Sequence, residues 1–199
     1  TSRLGVGAAA FHVGGQEGEA ATVYLGAFRR SALERVGGYD EGMVRAQDWE
    51  MNHRIRETGG LVWFTPRLQV TYRPRPTFGA LARQYRDYGR WRRVVMRRHP
   101  ETVRGASALR YLAPPAALVG VVAGTAAAAV AAAGGPRWLA LGALAPAGYV
   151  ALVVGGAAVE GRGLPPGAAL RLPAVIATMH GAWGYGFLTS RASLVPPPR

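Results

Sequence analysis

The sequence has no cysteine and no lysine. Without cysteine there can be no disulfide and no thiolate metal site. Without lysine all 24 basic residues are arginine, set against 11 acidic residues for a net charge of +13. Abundant Ala, Gly and Arg without Lys fits a GC-rich genome, so part of this composition reflects codon supply. Aspartate is scarce too, occurring only as Asp40, Asp48 and Asp87, and no DxD occurs anywhere. The four histidines, His12, His53, His99 and His180, are scattered and show no metal-ligand spacing. A strongly basic balance points to nucleic acid or to an anionic membrane surface, and the placement of the arginines decides between them. The chain does not begin with Met, and its opening TSRLGVGAAAF lacks the charged start and long apolar core of a signal peptide. We expect the first residue to lie inside a larger protein. At 199 residues the chain has room for one or two domains.

What is present is organised around residues 37–57, GGYDEGMVRAQDWEMNHRIRE. A Gly-Gly turn leads to Asp40 and Glu41. A second acidic pair, Asp48 and Glu50, opens a helix that closes with Arg54 and Arg56 before Gly59 and Gly60. Acid in the first turn, cation in the last and glycine after it are the boundary signals of a helix. Both Gly-Gly pairs read as chain reversals needing positive φ. Asp48 then stands at a helix N-terminus, where backbone N–H groups favour a carboxylate. Two readings stay open from these residues alone: an ordinary N-terminal helix charge, or a positioned general base.

Around this centre, residues 22–25 read as a short buried strand that turns at Gly26. Ser31 and Glu34 match a capping box, so a short helix over 31–36 should stop at Gly37. Residues 61–66 and 68–73 read as strands broken at Pro66. This α/β piece, residues 1–76, holds little apolar material and is marginal alone. Pro74 and Pro76 make an extended linker. An amphipathic helix follows over 77–98, within a basic segment 77–104. Phe78, Leu81, Tyr85, Tyr88 and Val95 share one face; Arg83, Arg86, Arg90, Arg93 and Arg97 share the other. That composition suits a helix lying in a membrane interface or packed on a core.

Residues 105–190 read as a membrane region and 191–199 as a tail. Residues 111–135 and 138–159 are charge-free runs of 25 and 22 residues, joined by a short linker. Each exceeds the ~20 residues needed to cross hydrocarbon. A third run, 172–190, either spans or lies at the interface. Gly120 and Gly124 have GxxxG spacing, which an Ala/Gly-rich run yields by chance. Residues 73–104 carry ten arginines against Asp87 and Glu101. Abutting the first span, they place the α/β piece on the cytoplasmic side of a multi-pass protein and attract anionic membrane lipid. No nucleic-acid-binding motif accompanies them, so no nucleic-acid partner is expected.

The succession YLGAFRR, GGYDE, AQDWEMNHRIRETGG and RQYRDYGRW, then membrane helices, resembles the C-terminal half of a family 2 glycosyltransferase. It is most similar to the membrane-bound branch that makes succinoglycan-type exopolysaccharide. The resemblance covers residues 20–110, with MHGAWGYGFLTS at 179–190 as a further similarity. It implies the C-terminal part of a GT-A fold, followed by an interface helix and two to three transmembrane helices. It also implies an inverting enzyme that moves a sugar from a nucleotide-sugar donor to a lipid-linked or polysaccharide acceptor. Asp48 matches the carboxylate of the family's ED motif, with Gln47 in place of the Glu, and takes the role of catalytic base. Gly26, Gly37 and Gly38 match loops beneath the acceptor. Asp40 and Glu41 match a structural turn, and Glu50 and Arg54 a supporting pair. Gln84, Arg90 and Trp91 resemble a QxxRW motif, but five residues rather than two separate Gln84 from Arg90. Gln84 and Trp91 are therefore candidates for donor or acceptor contact at the membrane surface, or Trp91 for an interface anchor. The nucleotide-binding strand and the DxD that holds Mg or Mn are not in this sequence. The chain alone is accordingly expected to bind no metal and to be inactive. The competing expectation is a non-enzymatic assembly module that binds anionic lipid.

Overall fold

Glycine and arginine set the course of the first third of the molecule more than apolar burial does. The computed structural model describes residues 16–23, 25–71, 73–103, 106–191 and 194. Expectations that fall on residues 1–15, on Tyr24, Tyr72 and Arg104, and on most of the tail lie outside these residues. Two-residue strands β1 (Gly18–Glu19) and β2 (Trp63–Phe64) pair antiparallel, with Gly18 opposite Phe64 and Glu19 opposite Trp63. The strand expected over 22–25 does not form among its described residues, and Leu25 has φ 52°. Of the strands expected over 61–66 and 68–73, only the two residues of β2 pair. The described residues are thus mostly helical, with little of the anticipated α/β character.

Helix α1 (Arg30–Val36) ends in left-handed Gly37. Its capping box is not made: Arg29 is the N-cap, and Glu34 pairs with Arg30 at 2.8 Å instead. Helix α2 (Gln47–Glu57) has the expected acidic first turn and basic last turn. Met51 and Ile55 bury one side of it with Val62, against Phe28, Leu33 and Val36.

Helix α3 (Phe78–Arg98) begins at Thr77, whose hydroxyl accepts the Ala80 amide. Its buried face differs from the expected one: Tyr85, Gly89, Trp91, Val94 and Val95 are inside, while Phe78 and Tyr88 are exposed. The face shifts because α3 meets two neighbours. Near its end, Trp91, Val94 and Val95 pack on Met43, Ala46 and Trp49 beside α2. Along its middle it crosses α6 (Pro166–Leu188). Arg93 Nη1 donates to the Phe187 and Leu188 carbonyls at 2.9 Å each, satisfying acceptors that the end of α6 leaves open. So α3 is docked on protein, with its arginines only partly turned to solvent.

Helix α4 (Ala106–Ala132) and the stretch Arg137–Glu160, a 3-10 segment running into α5 (Leu144–Glu160), form the hairpin. Both are long and apolar enough to cross a membrane, and only 11% and 6% of their most apolar windows are buried. A soluble core helix would be mostly buried. Gly124 of the GxxxG pair has a packing role after all: its position lies against the Gly142 carbonyl, whereas Gly120 faces open space. Helix α6 buries Ile176 against Val153 and Ala157 of α5.

Candidate functional site

Ala46, the residue that caps α2, adopts φ 61°, a left-handed conformation that costs L-residues on the order of 1–2 kcal/mol. Its packing on the Trp91, Val94 and Val95 cluster holds it there. This outlier delivers Gln47 and Asp48 into the first turn. Asp48 is exposed, and its Oδ1 accepts the Trp49 amide at 2.8 Å. Among the described residues no ion pair claims it. The neighbouring carboxylates differ: Asp40 pairs with Arg98, Glu50 with Arg54, and Glu101 with His53 and His99.

Trp49 floors the site. It stacks on His53 with ring centroids 5.4 Å apart and also carries the Arg92 guanidinium, 4.6 Å from its centroid. The same guanidinium lies 4.2 Å from the Tyr111 centroid, so Arg92 joins α2, α3 and the start of α4. Burial pulls the Arg92 pKa below its ordinary value; Tyr111 and Asp48 oppose that and Arg110 adds to it. Its Nη1 is buried without a hydrogen-bond partner among the described residues. The sequence marked Arg92 only as one cation among ten.

A second layer fixes α2 from behind. Glu50 is 2% exposed and accepts from Arg54 Nε and Nη2 at 2.7 and 2.8 Å. Arg54 also donates to the Gly38 carbonyl at 2.7 Å and to that of Val36. The anticipated Glu50–Arg54 pair thus holds the Gly37-Gly38 reversal, where φ is 73° and 72°. His99 Nε2 reaches Glu50 Oε1 at 3.1 Å, His99 Nδ1 reaches Glu101 Oε1 at 3.2 Å, and His53 Nε2 reaches the same oxygen at 2.9 Å. The hydrogen bond from His53 is the main cause that holds the Glu101 carboxyl below its usual pKa. Sequence spacing gave no hint that His53 and His99 meet.

The remaining expected site residues divide. Gly26 is exposed and is glycine for room, since a Cβ there would lie 2.9 Å from Phe28 Cζ. Gln84 donates to the Tyr88 hydroxyl at 2.6 Å along α3. Arg90 accepts the Ser190 hydroxyl on its backbone carbonyl at 2.9 Å. Trp91 is 7% exposed, its ring a core element beneath α2 rather than a surface contact or an interface anchor. Gln47 and Asp48 therefore lie over Trp91, which packs on the flanking Ala46 and Trp49. A cleft of about 370 Å³ between α3 and α6 is lined by Arg83, Arg86, Ala177, Gly181 and Tyr185, and no residue of α2 lines it.

Over 113 residues the sequence is 31% identical to succinoglycan biosynthesis protein ExoA of Rhizobium meliloti (strain 1021). The chain is similar to a succinoglycan biosynthesis protein. The alignment takes in 57% of the chain but 33% of ExoA, so the chain spans about one third of the length of the curated relative it matches. No protein-family model matches the chain, and no solved structure does. The match supports a distant relationship to a protein of exopolysaccharide synthesis. The divalent metal that the glycosyltransferase resemblance implies would need a DxD. Asp40 is tied to Arg98, Asp87 lies 3.9 Å from Arg86, and Asp48 stands alone on α2. These residues do not fit that metal, and no step below passes through it.

Proposed function

We propose that the chain is the acceptor-side and membrane-anchoring part of an inverting glycosyltransferase of family 2, with Asp48 as general base. The carrying observation is placement: Asp48 is exposed in the first turn of α2, outside any ion pair among the described residues, and within electrostatic reach of the Arg92 guanidinium that lies over Trp49 and Tyr111. In the reaction, Asp48 accepts the proton of an acceptor hydroxyl as that oxygen attacks the anomeric carbon. The bond from that carbon to the nucleotide's phosphate oxygen breaks on the opposite face, and the nucleoside diphosphate leaves with the bonding pair. A hydroxyl needs such a base because its proton becomes acidic only as the new bond forms. The acceptor is a lipid-linked saccharide or growing polysaccharide. In this reading the protein is anchored in the cell membrane with Asp48 facing the cytoplasm; two exposed apolar helices and the arginines of α3 support it.

The second reading, a module that binds anionic lipid without catalysis, has one observation in its favour: Arg83 and Arg86 line the cleft between α3 and α6. Transfer of labelled sugar from nucleotide donors, followed in membranes bearing the full-length protein, separates the two. Asp48→Asn keeps the shape of the side chain and should lower turnover ~10²-fold or more, the usual worth of a positioned base. Undiminished transfer would remove Asp48 from the chemistry; no transfer by either protein, with vesicle binding intact, would favour the lipid module.

A further inference from the structure

Three donor atoms from two distant parts of the chain converge at the join of α2 with the turn that follows α3. They are His53 Nε2, His99 Nδ1 and Glu101 Oε1. The possible ligand atoms of these three residues all lie within 4.8 Å of one another. His53 comes from the middle of α2; His99 and Glu101 flank Pro100 in a single 3-10 turn (Pro100–Thr102). We propose that they form a binding site for a divalent transition-metal ion, zinc foremost, which clasps α2 to the end of α3.

The first argument is spacing. Tetrahedral zinc with N and O ligands at about 2.0–2.1 Å sets its ligand atoms about 3.3 Å apart. Glu101 Oε1 stands 2.9 Å from His53 Nε2 and 3.2 Å from His99 Nδ1. Shifts of a few tenths of an ångström bring both to the required separation. Two imidazoles and one carboxylate are a set that zinc accepts, leaving a fourth position for water on the side where Glu101 is 41% exposed.

The second argument is the outer layer. A metal-bound histidine donates its far N–H to a carboxylate, which fixes the tautomer and raises the basicity of the bound nitrogen. His99 Nε2 meets Glu50 at 3.1 Å, and Glu50 is buried and held by two bonds from Arg54. With the proton on Nε2, the Nδ1 lone pair faces the Glu101 oxygen at 3.2 Å. Two lone pairs at that distance need a cation or an extra proton between them. His53 is buried at 5% exposure and oriented by stacking on Trp49, so its ring is set in advance of binding.

The site is separate from the donor metal of the proposed sugar transfer and does not rest on that reading. Tag-free full chain in detergent, stripped with chelator and loaded with Zn²⁺ or Co²⁺, should retain one equivalent after gel filtration. The Co²⁺ form should show the visible absorption of a tetrahedral site. Asp48→Asn should bind equally well. Glu101→Gln, an exposed isosteric change that leaves folding intact, should weaken binding by ~10-fold or more, with His53→Asn as the second variant. Retention below one equivalent, or equal retention by wild type and Glu101→Gln, overturns the site. The cluster is then a chain of shared protons between histidines and carboxylates.

Discussion

Gly89 of α3 and Gly186 of α6 are packed backbone against backbone. A methyl group on residue 89 would overlap the Trp183 carbonyl oxygen, and one on residue 186 the Arg86 carbonyl oxygen. Backbone cannot swing aside as a side chain can. Gly89→Ala should therefore force α3 off α6 and destabilise the protein by ~1–3 kcal/mol, the range for overpacking. Gly120→Ala is the matched control, because nothing lies within 4 Å of its added carbon. It should be neutral or stabilising by up to ~1 kcal/mol from helix propensity. Thermal unfolding in one detergent, followed by far-ultraviolet circular dichroism, compares them.

Two tryptophans make opposite predictions. Trp91 is 7% exposed and Trp138 is 70% exposed. Trp91→Ala should cost ~3–5 kcal/mol through the cavity it leaves beneath α2. Trp138→Ala should change folded stability by no more than ~0.5 kcal/mol. It should instead weaken partition into vesicles, since Trp138 opens an apolar segment where an interfacial ring anchors it. Denaturant midpoints and vesicle flotation read the two effects separately.

Glu50→Gln tests the layer behind the site. The change keeps the shape but leaves the Arg54 guanidinium without its charged partner at a carboxylate that is 3% exposed. Removing one member of a buried pair costs ~3–5 kcal/mol. The loss should appear in urea unfolding together with faster hydrogen exchange at the Gly37-Gly38 turn, which Arg54 holds through the Val36 and Gly38 carbonyls.

Arg92→Lys keeps the charge and discards the flat face that lies over Trp49 and Tyr111. About 1–2 kcal/mol should be lost, the scale of a desolvated cation–π contact. A double-mutant cycle with Tyr111→Leu should show coupling above ~0.5 kcal/mol, as expected of residues in contact.

What could be read from the sequence was local. The polar first turn and cationic last turn of α2, left-handed Gly37, Gly38 and Gly59, and the length of α3 are short-range consequences of residue type, and these are present; Gly60, expected to be left-handed too, is not. The two long apolar segments were equally plain. The failures share a cause, which is competition from distant partners. Glu34 had an arginine four residues before it and paired there instead of closing a capping box. Residues 61–64 found only a two-residue partner in β1, so most of the expected sheet is missing from the described residues. Trp91 is core because Met43 and Ala46 come to meet it from another part of the chain. His53 and His99, 46 positions apart, are neighbours only because α3 returns its end to α2.

Helix α3 is a rod of 21 residues, about 31 Å long. It is gripped by α6 around Gly89, and just beyond its far end His99 and Glu101 tie to α2. A rod held at two points cannot turn about its own axis. With the hairpin seated in a bilayer, the lean of the membrane helices then sets how high Asp48 stands above the lipid surface. Lipid thickness then becomes a setting for the reach of Asp48 in the proposed sugar transfer.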